Sequence, residues 1–429
     1  MNTTPRLKNK DILISGAGVA GPALAYWLHR HGFTPTIVER APGVRDGGYA
    51  VDFRGEAHLT VLARMGILDD IRRERTNMGA MAYVNGAGKK VSSMPADVFS
   101  GDLEILRGDL GRILYEHTRH HVEYVFDDSI TSLTEDAEGV RVTFERGEPR
   151  RFDLVVGADG LHSNVRALAF GPESRFVKEM GLYCAIFTTA NHLGLDHAGQ
   201  LYNTPGKLVG MYSARGNTEA KAAFYFGSPP LSYDRRDIGQ QKKLLAEAFA
   251  GVGWEAPRLL DAMWDAQDFY FDSISQVHMD SWSAGRVTLL GDAACCASPL
   301  SGMGTGLAVV GAYVLAGELA AAGGDHRAGL AGYEEAMRAY AAGCQKSGDG
   351  VGRWMVPESR FMAWFVNQNY KLLPYVPWKG LIARSIRRTA DAIALKDYER
   401  GPAGAGETRG REPVSPGLRG PAGRPGRRR

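Results

Sequence analysis

The sequence predicts an α/β protein. Its expected parts are a doubly wound, Rossmann-like nucleotide-binding domain, an inserted and mostly antiparallel β-sheet domain, and C-terminal helices. Three stretches carry this expectation. Asp11–Ser15 (DILIS) is a short apolar strand that runs into Gly16-Ala17-Gly18-Val19-Ala20-Gly21. Residues 176–280 are rich in β-branched and aromatic runs, the signature of strands. Residues 291–306 (GDAACCASPLSGMGTG) join an apolar strand at 287–290 to a glycine-opened helix at 307–319.

The N-terminal element is a complete βαβ unit. Leu24, Ala25 and Leu28 have helical spacing after Gly21, and residues 36–39 (TIVE) form a second strand. Gly16 makes a tight turn, Gly18 admits a pyrophosphate to the main chain, and Gly21 lets the helix pack on the strand. The helix start near Val19 turns its positive end to the phosphates. Gly16, Ala17, Gly18, Ala20 and Gly21 are therefore candidate phosphate-binding residues. Glu39 ends the second strand, where a carboxylate binds both ribose hydroxyls and disfavours an adenosine 2′-phosphate.

Residues 57–73 and 105–119 have helical spacing, and Val140–Phe144 and residues 152–156 read as strands. Residues 153–166 (DLVVGADGLHSNVR) are a strand ending in a polar turn. Arg166 there meets a pyrophosphate, or Ser163 caps a helix and Arg166 is surface charge. In the insert, residues 183–189, 208–212, 222–226 and 269–274 read as strands and 240–250 as a helix. Met211, Tyr212, Phe224 and Phe226 are candidate substrate-binding side chains, with ordinary core as the alternative. Residues 360–398 read as amphipathic helices broken at Pro374 and Pro377. Their Phe361, Trp364 and Phe365 are expected to pack against the nucleotide domain, with a membrane-surface role as the alternative.

Asp292 offers a carboxylate for hydroxyl groups, and Gly302, Gly304 and Gly306 offer bare backbone N–H groups at a helix start. The expected domains are 1–175 with 281–345 for the nucleotide, 176–280 for the substrate, 346–400 for C-terminal helices, and 401–429 as a tail. Residues 76–100 are expected to contribute to the substrate side. The tail holds seven Arg against Glu407 and Glu412, with eight Gly and five Pro, and is expected to be disordered. Residues 1–400 then carry a net charge of −2, which gives no basic surplus for nucleic acid. Four cysteines (184, 295, 296, 344) are no disulfide framework, and the adjacent Cys295 and Cys296 lack zinc-ligand spacing, so no metal is expected. The N-terminus has no apolar signal region, and Glu318 with its glycines marks residues 303–323 as a buried helix. A cytoplasmic monomer or dimer without a membrane or nucleic-acid partner is expected.

Together the GxGxxG turn with Glu39-Arg40, the Asp159-Gly160 turn and the Gly291-Asp292 turn resemble a known family in order and spacing. It is the single-component FAD-dependent aromatic hydroxylases (group A flavoprotein monooxygenases), especially their tetracycline-modifying branch. The resemblance covers residues 10 to about 345. It implies FAD bound in extended form. Glu39, beside Arg40, would hold the adenosine ribose, Arg107 (in EILRGDL) the pyrophosphate or ribityl region, and Asp292 a ribityl hydroxyl. Asp159 belongs to the same cofactor-binding set. The helix start after Gly302, Gly304 and Gly306 would face the flavin pyrimidine edge and stabilise the anionic reduced flavin by roughly 0.3–2 kcal/mol.

The implied activity is an NAD(P)H-consuming monooxygenase that hydroxylates or epoxidises through a flavin C4a-hydroperoxide. O2 and a bulky aromatic or polyketide small molecule would be its substrates, and antibiotic biosynthesis or modification its setting. A second GxGxxG is absent, which matches NAD(P)H as a transient reductant. In residues 47–55 (GGYAVDFRG), Asp52 and Arg54 are the candidate catalytic groups near flavin N5 and the substrate. The alternative for Arg54 is an ion pair with a neighbouring acid. Two residues depart from the family pattern: Cys295, where many relatives carry His, and Gly311, where an acid is frequent. They leave open an FAD-retaining polyketide cyclase with no net redox change. The shared fold leaves open a flavin reductase or dehydrogenase.

Overall fold

The apolar runs around each glycine motif become adjacent strands of one parallel sheet. The computed structural model describes residues 7–45, 47–94, 101–372 and 379–398. Residues 95–100, the expected break at Pro374 and Pro377, and the tail 401–429 lie outside the described residues. The chain opens with β1 (Asp11–Ser15), α1 (Ala20–Arg30), β2 (Thr34–Glu39), β3 (Ala50–Phe53), α2 (Gly55–Met65) and α3 (Leu68–Arg73). Next come β4 (Met81–Val84), β5 (Lys90–Met94), β6 (Leu103–Leu106) and α4 (Arg107–Thr118). After them run β7 (Glu123–Phe126), β8 (Ile130–Glu135), β9 (Val140–Phe144), β10 (Arg150–Phe152), β11 (Leu154–Gly157) and α5 (Asn164–Phe170). The insert holds β12 (Val177–Thr189), β13 (Gly199–Thr204), β14 (Lys207–Ala214), β15 (Glu219–Gly227), α6 (Ile238–Ala248), α7 (Ala256–Met263) and β16 (Tyr270–Val277). The chain then returns through β17 (Ser283–Ala284), β18 (Val287–Leu289), α8 (Asp292–Cys295), α9 (Gly304–Ala321) and α10 (His326–Ser347). It ends with α11 (Val351–Met355), α12 (Arg360–Leu372) and α13 (Lys379–Ala390).

The first sheet has the order β17-β18-β11-β1-β2-β7, parallel except for β17. Its inner strands β18, β11, β1 and β2 are buried on both faces, which explains their apolar sequences. The second sheet has the order β16-β12-β15-β14-β13-β4-β5 and is antiparallel except for the β13–β4 pair. Strands β4 and β5 thus join the sheet of the insert. Helix α9 is apolar all round because it packs between α1, α2 and α10.

Three readings are corrected. Residues 57–73 form two helices, because Gly66 takes a φ of +78° and ends α2. Residues 105–106, the expected start of the helix 105–119, instead end a strand at 103–106 paired with β3, and the helix begins at Arg107. Helix α12 packs on the insert sheet at β5 and β13, and Phe361, Trp364 and Phe365 are exposed rather than packed on the nucleotide domain.

Candidate active site

The C-terminal ends of the parallel strands bring the three motifs together. Gly16 N donates to Val38 O, Ala158 N to Ser15 O, and Leu290 N to Gly157 O, each at 2.8 Å. Open α/β sheets bind ligands at this edge. Gly16 has a φ of +108°, and a β-carbon there would lie 2.6 Å from Ala158 O. At Gly21 a β-carbon would lie 1.9 Å from Gly16 O, so only glycine lets α1 start this close to its strand. A β-carbon on Gly291 would lie 3.4 Å from Ala20 Cβ and 3.3 Å from Ala308 Cβ, so α1 and α9 start side by side.

From here the residues form a continuous trail. The Glu39 carboxylate accepts from Ala17 N and Ala41 N at 2.9 Å, and from Arg45 Nη2 at 3.2 Å. Arg40 is exposed beyond the end of β2. Gly18 faces Arg107: a β-carbon on Gly18 would lie 3.5 Å from Nη2. Arg107 opens α4 and donates its backbone N–H to Tyr49 O at 3.0 Å. Burial pushes the Asp292 carboxyl up from its ordinary value, and the Arg107 charge pulls it back. A β-carbon on Gly304 would lie 3.6 Å from Asp292 Oδ1, and one on Gly302 would lie 3.5 Å from Arg54 Nε and Nη2.

The Asp159 turn has a different task. The Asp159 carboxylate accepts from Ser163 Oγ and from Val165 N, and Ser163 Oγ accepts from Arg166 N at 3.0 Å. Ser163 is therefore the helix cap. Arg166 is neither a surface charge nor open to a dinucleotide. It is fully buried and donates to Ala293 O at 3.0 Å, which ties the second motif to the third.

Arg54 is buried and Asp52 half-buried, with Arg54 Nη2 2.8 Å from Asp52 Oδ2. The ion-pair alternative for Arg54 thus holds, and the pair sits at the Gly302 end of the trail. Asp52 Oδ1 also accepts from Gly101 N at 2.7 Å. Burial pushes the Asp52 carboxyl up, and Arg54 and the Gly101 N–H pull it back. Glu104 faces Asp52 across β3 and β6 and accepts from Thr76 Oγ1. Burial, with the Asp52 charge beside it, raises Glu104 to about 7. His58 Nδ1 accepts from Arg54 N at 3.0 Å, and Nε2 lies 2.6 Å from Tyr340 OH. Burial and the Arg54 charge lower His58 to about 4, so the ring is neutral. The sequence reading missed Glu104 and His58.

The insert turns one sheet face toward this cleft. Tyr270 packs against Tyr49 with ring centroids 5.9 Å apart, and Tyr225 pairs with Cys184 across β15 and β12. Burial raises the hydroxyls of Tyr49, Tyr212, Tyr225 and Tyr270 above the ordinary phenol range, so all four are protonated donors. Of the candidate substrate residues, Tyr212 alone is on this face. Met211, Phe224 and Phe226 are a correction: they are buried on the opposite face under α6 and α7, and Phe224 meets Phe249 edge-on at 4.8 Å. Side chains alternate along a strand, so residues 211 and 212 point opposite ways.

Both family departures lie in packed surroundings. The Cys295 thiol is buried with Sγ 3.6 Å from Gly291 O. A β-carbon on Gly311 would lie 3.0 Å from Leu290 Cδ1, a tight contact that the Leu290 side chain would have to relieve.

The trail from Glu39 to Gly302 fits FAD by its donor set. It has a carboxylate at one end, a glycine turn facing an arginine in the middle, and a buried carboxyl before a bare-backbone helix start at the other. Comparison with known proteins agrees. A family model described as FAD binding domain matches residues 9–346. A flavin-dependent monooxygenase from an unknown prokaryotic organism is 43% identical over 393 residues, covering 91% of this chain and 99% of that protein. An uncharacterized protein of Mycobacterium tuberculosis is 50% identical over 337 residues, covering 77% of this chain and 90% of its own. The crystal structure of the tetracycline destructase Tet(51) superposes with a TM-score of 0.80 at 36% identity, covering 91% of this chain and 99% of that one.

Proposed function

The chain belongs to the FAD-dependent monooxygenase family, and from that premise we propose that it inserts one oxygen atom from O2 into a bulky, fused-ring aromatic or polyketide substrate at the expense of NAD(P)H. The similarity to a tetracycline destructase supports tetracycline-like polycycles as the substrate class and antibiotic modification as the setting. The observation that carries this reading is the tyrosine-lined sheet face closing onto the Asp52–Arg54 end of the cofactor trail through the Tyr49–Tyr270 contact.

Bound FAD, once reduced, supplies the activated oxygen; the chain's residues bind and orient. Glu39 would hold the adenosine ribose, Ala17, Gly18 and Arg107 the pyrophosphate, and Asp292 a ribityl hydroxyl. The backbone N–H groups at Gly304–Ala321 favour negative charge at the flavin end. Arg54, its charge balanced by Asp52, presents guanidinium N–H groups to an electron-rich substrate oxygen. Tyr212 and Tyr225 offer hydroxyl donors from the opposite wall, and their rings keep water from the reacting atoms. Glu104 is a carboxyl that changes protonation near neutral pH and holds a proton beside the Asp52–Arg54 pair.

Purified protein should be yellow, and a tetracycline should accelerate both NAD(P)H oxidation and oxygen uptake. Turnover of the substrate at an equal rate without O2 would overturn the proposal.

A further inference from the structure

Helix α12 carries apolar side chains on two opposite faces. The inner face is used: Ala363 and Val366 are buried, Tyr370 stacks on Tyr83 at 5.0 Å, and Ser92 Oγ lies 3.4 Å from Asn367 Oδ1. The outer face is in solvent. Phe361 is 71% exposed and Trp364 56%, with Met362 and Phe365 exposed beside them. Trp354 of α11 completes the patch, its ring 6.3 Å from that of Phe365. Phe361 lies 6.0 Å from Trp364 and 6.5 Å from Phe365, so the rings form one surface. Most of the exposed large apolar side chains among the described residues fall in this segment. Such a patch marks an interaction site rather than ordinary surface.

Charge selects the occupant. Residues 351–371, which span both helices, contain Arg353, Arg360 and Lys371 against Glu358 alone, while residues 1–350 carry a net charge of −7. Arg353, Arg360 and Lys371 are exposed on the same two helices as the rings. A second copy docking by this face would set two cationic surfaces against each other. An anionic bilayer instead accepts aromatic rings at its headgroup level and attracts the flanking cations. We propose that α11 and α12 form a peripheral docking surface for membranes containing anionic lipid, with Trp354, Phe361, Trp364 and Phe365 as the inserted side chains.

The test is flotation of the full-length FAD-loaded protein with vesicles of phosphatidylcholine alone or mixed with phosphatidylglycerol. At low salt the bound fraction should be about tenfold higher on the phosphatidylglycerol vesicles and should fall as salt is added. The triple variant Phe361→Ser, Trp364→Ser, Phe365→Ser should lose about tenfold of that binding while its flavin absorbance is unchanged. Arg353→Glu with Arg360→Glu leaves the rings in place and should also reduce binding. The proposal is overturned by absent flotation, by equal binding to both vesicle types, or by a triple variant that floats as the parent does. Sedimentation showing a dimer that the triple variant dissolves would assign the patch to a second copy and equally overturn it.

Discussion

The Arg54 guanidinium rests against Gly302, where a β-carbon would lie 3.5 Å from both Nε and Nη2. This contact joins the candidate catalytic pair, at the start of α2, to the turn that begins the flavin-end helix nearly 250 residues later in the chain. A β-carbon at 302 would touch Arg54 at ordinary contact distance, and the φ of +62° there favours glycine.

Breaking the pair on one side should cost more than removing it. Arg54→Leu leaves the half-buried Asp52 carboxylate with the Gly101 N–H and no cation, a loss of about 2–3 kcal/mol. Adding Asp52→Asn should recover part of that loss. Urea denaturation of the three variants measures the coupling; strictly additive losses would show that the two residues do not act as a pair.

Glu39→Ala removes the carboxylate that organises Ala17 N and Ala41 N and would hold the ribose. The FAD dissociation constant should rise roughly 10- to 100-fold. Titration by flavin fluorescence reads this directly, and unchanged affinity would remove Glu39 from the cofactor site.

Gly306 has no room for a side chain, because a β-carbon there would lie 2.0 Å from His58 Cε1. Gly306→Ala should destabilise the protein by about 1–3 kcal/mol. Adding His58→Ala should return much of the loss. Thermal unfolding distinguishes this from a local effect of the helix start, which the second substitution would leave uncorrected.

Glu104 gives stability a defined pH dependence. Its carboxyl is raised from the ordinary 4.5 to about 7 by burial and the nearby Asp52. The folded state then binds the proton more tightly, so the contribution is complete below about 4.5 and is lost as pH rises through about 7. At pH 8 Glu104→Gln should therefore be more stable than the parent, by on the order of 1–3 kcal/mol, with the advantage vanishing at about pH 5. An advantage that is the same at both pH values would contradict the buried, protonated carboxyl.

The cofactor end of the site was legible because it is built from local patterns. Gly16, Glu39 and Asp292 each occupy the end of a strand whose neighbours announce it. The substrate end was not. Met211 and Tyr212 are adjacent on β14 with apolar residues on both faces, so alternation could not say which face meets the cofactor. His58 meets its partner Tyr340 across 282 residues, a contact with no local signal. Leu103–Leu106 is a buried strand paired to β3, and Glu104 stands just ahead of the helix read from residue 105, where no periodic pattern marked it. The signal available for Glu104 was a lone acid between Leu103 and Ile105.

The central claim is oxygen insertion at the Arg54–Gly302 end of the cleft. The most direct measurement is product mass after turnover of a tetracycline with NAD(P)H under isotopically labelled O2. The product should gain one oxygen atom bearing the label, and Arg54→Leu at saturating FAD should lose that product. A product of unchanged mass, or one whose added oxygen comes from water, would contradict it.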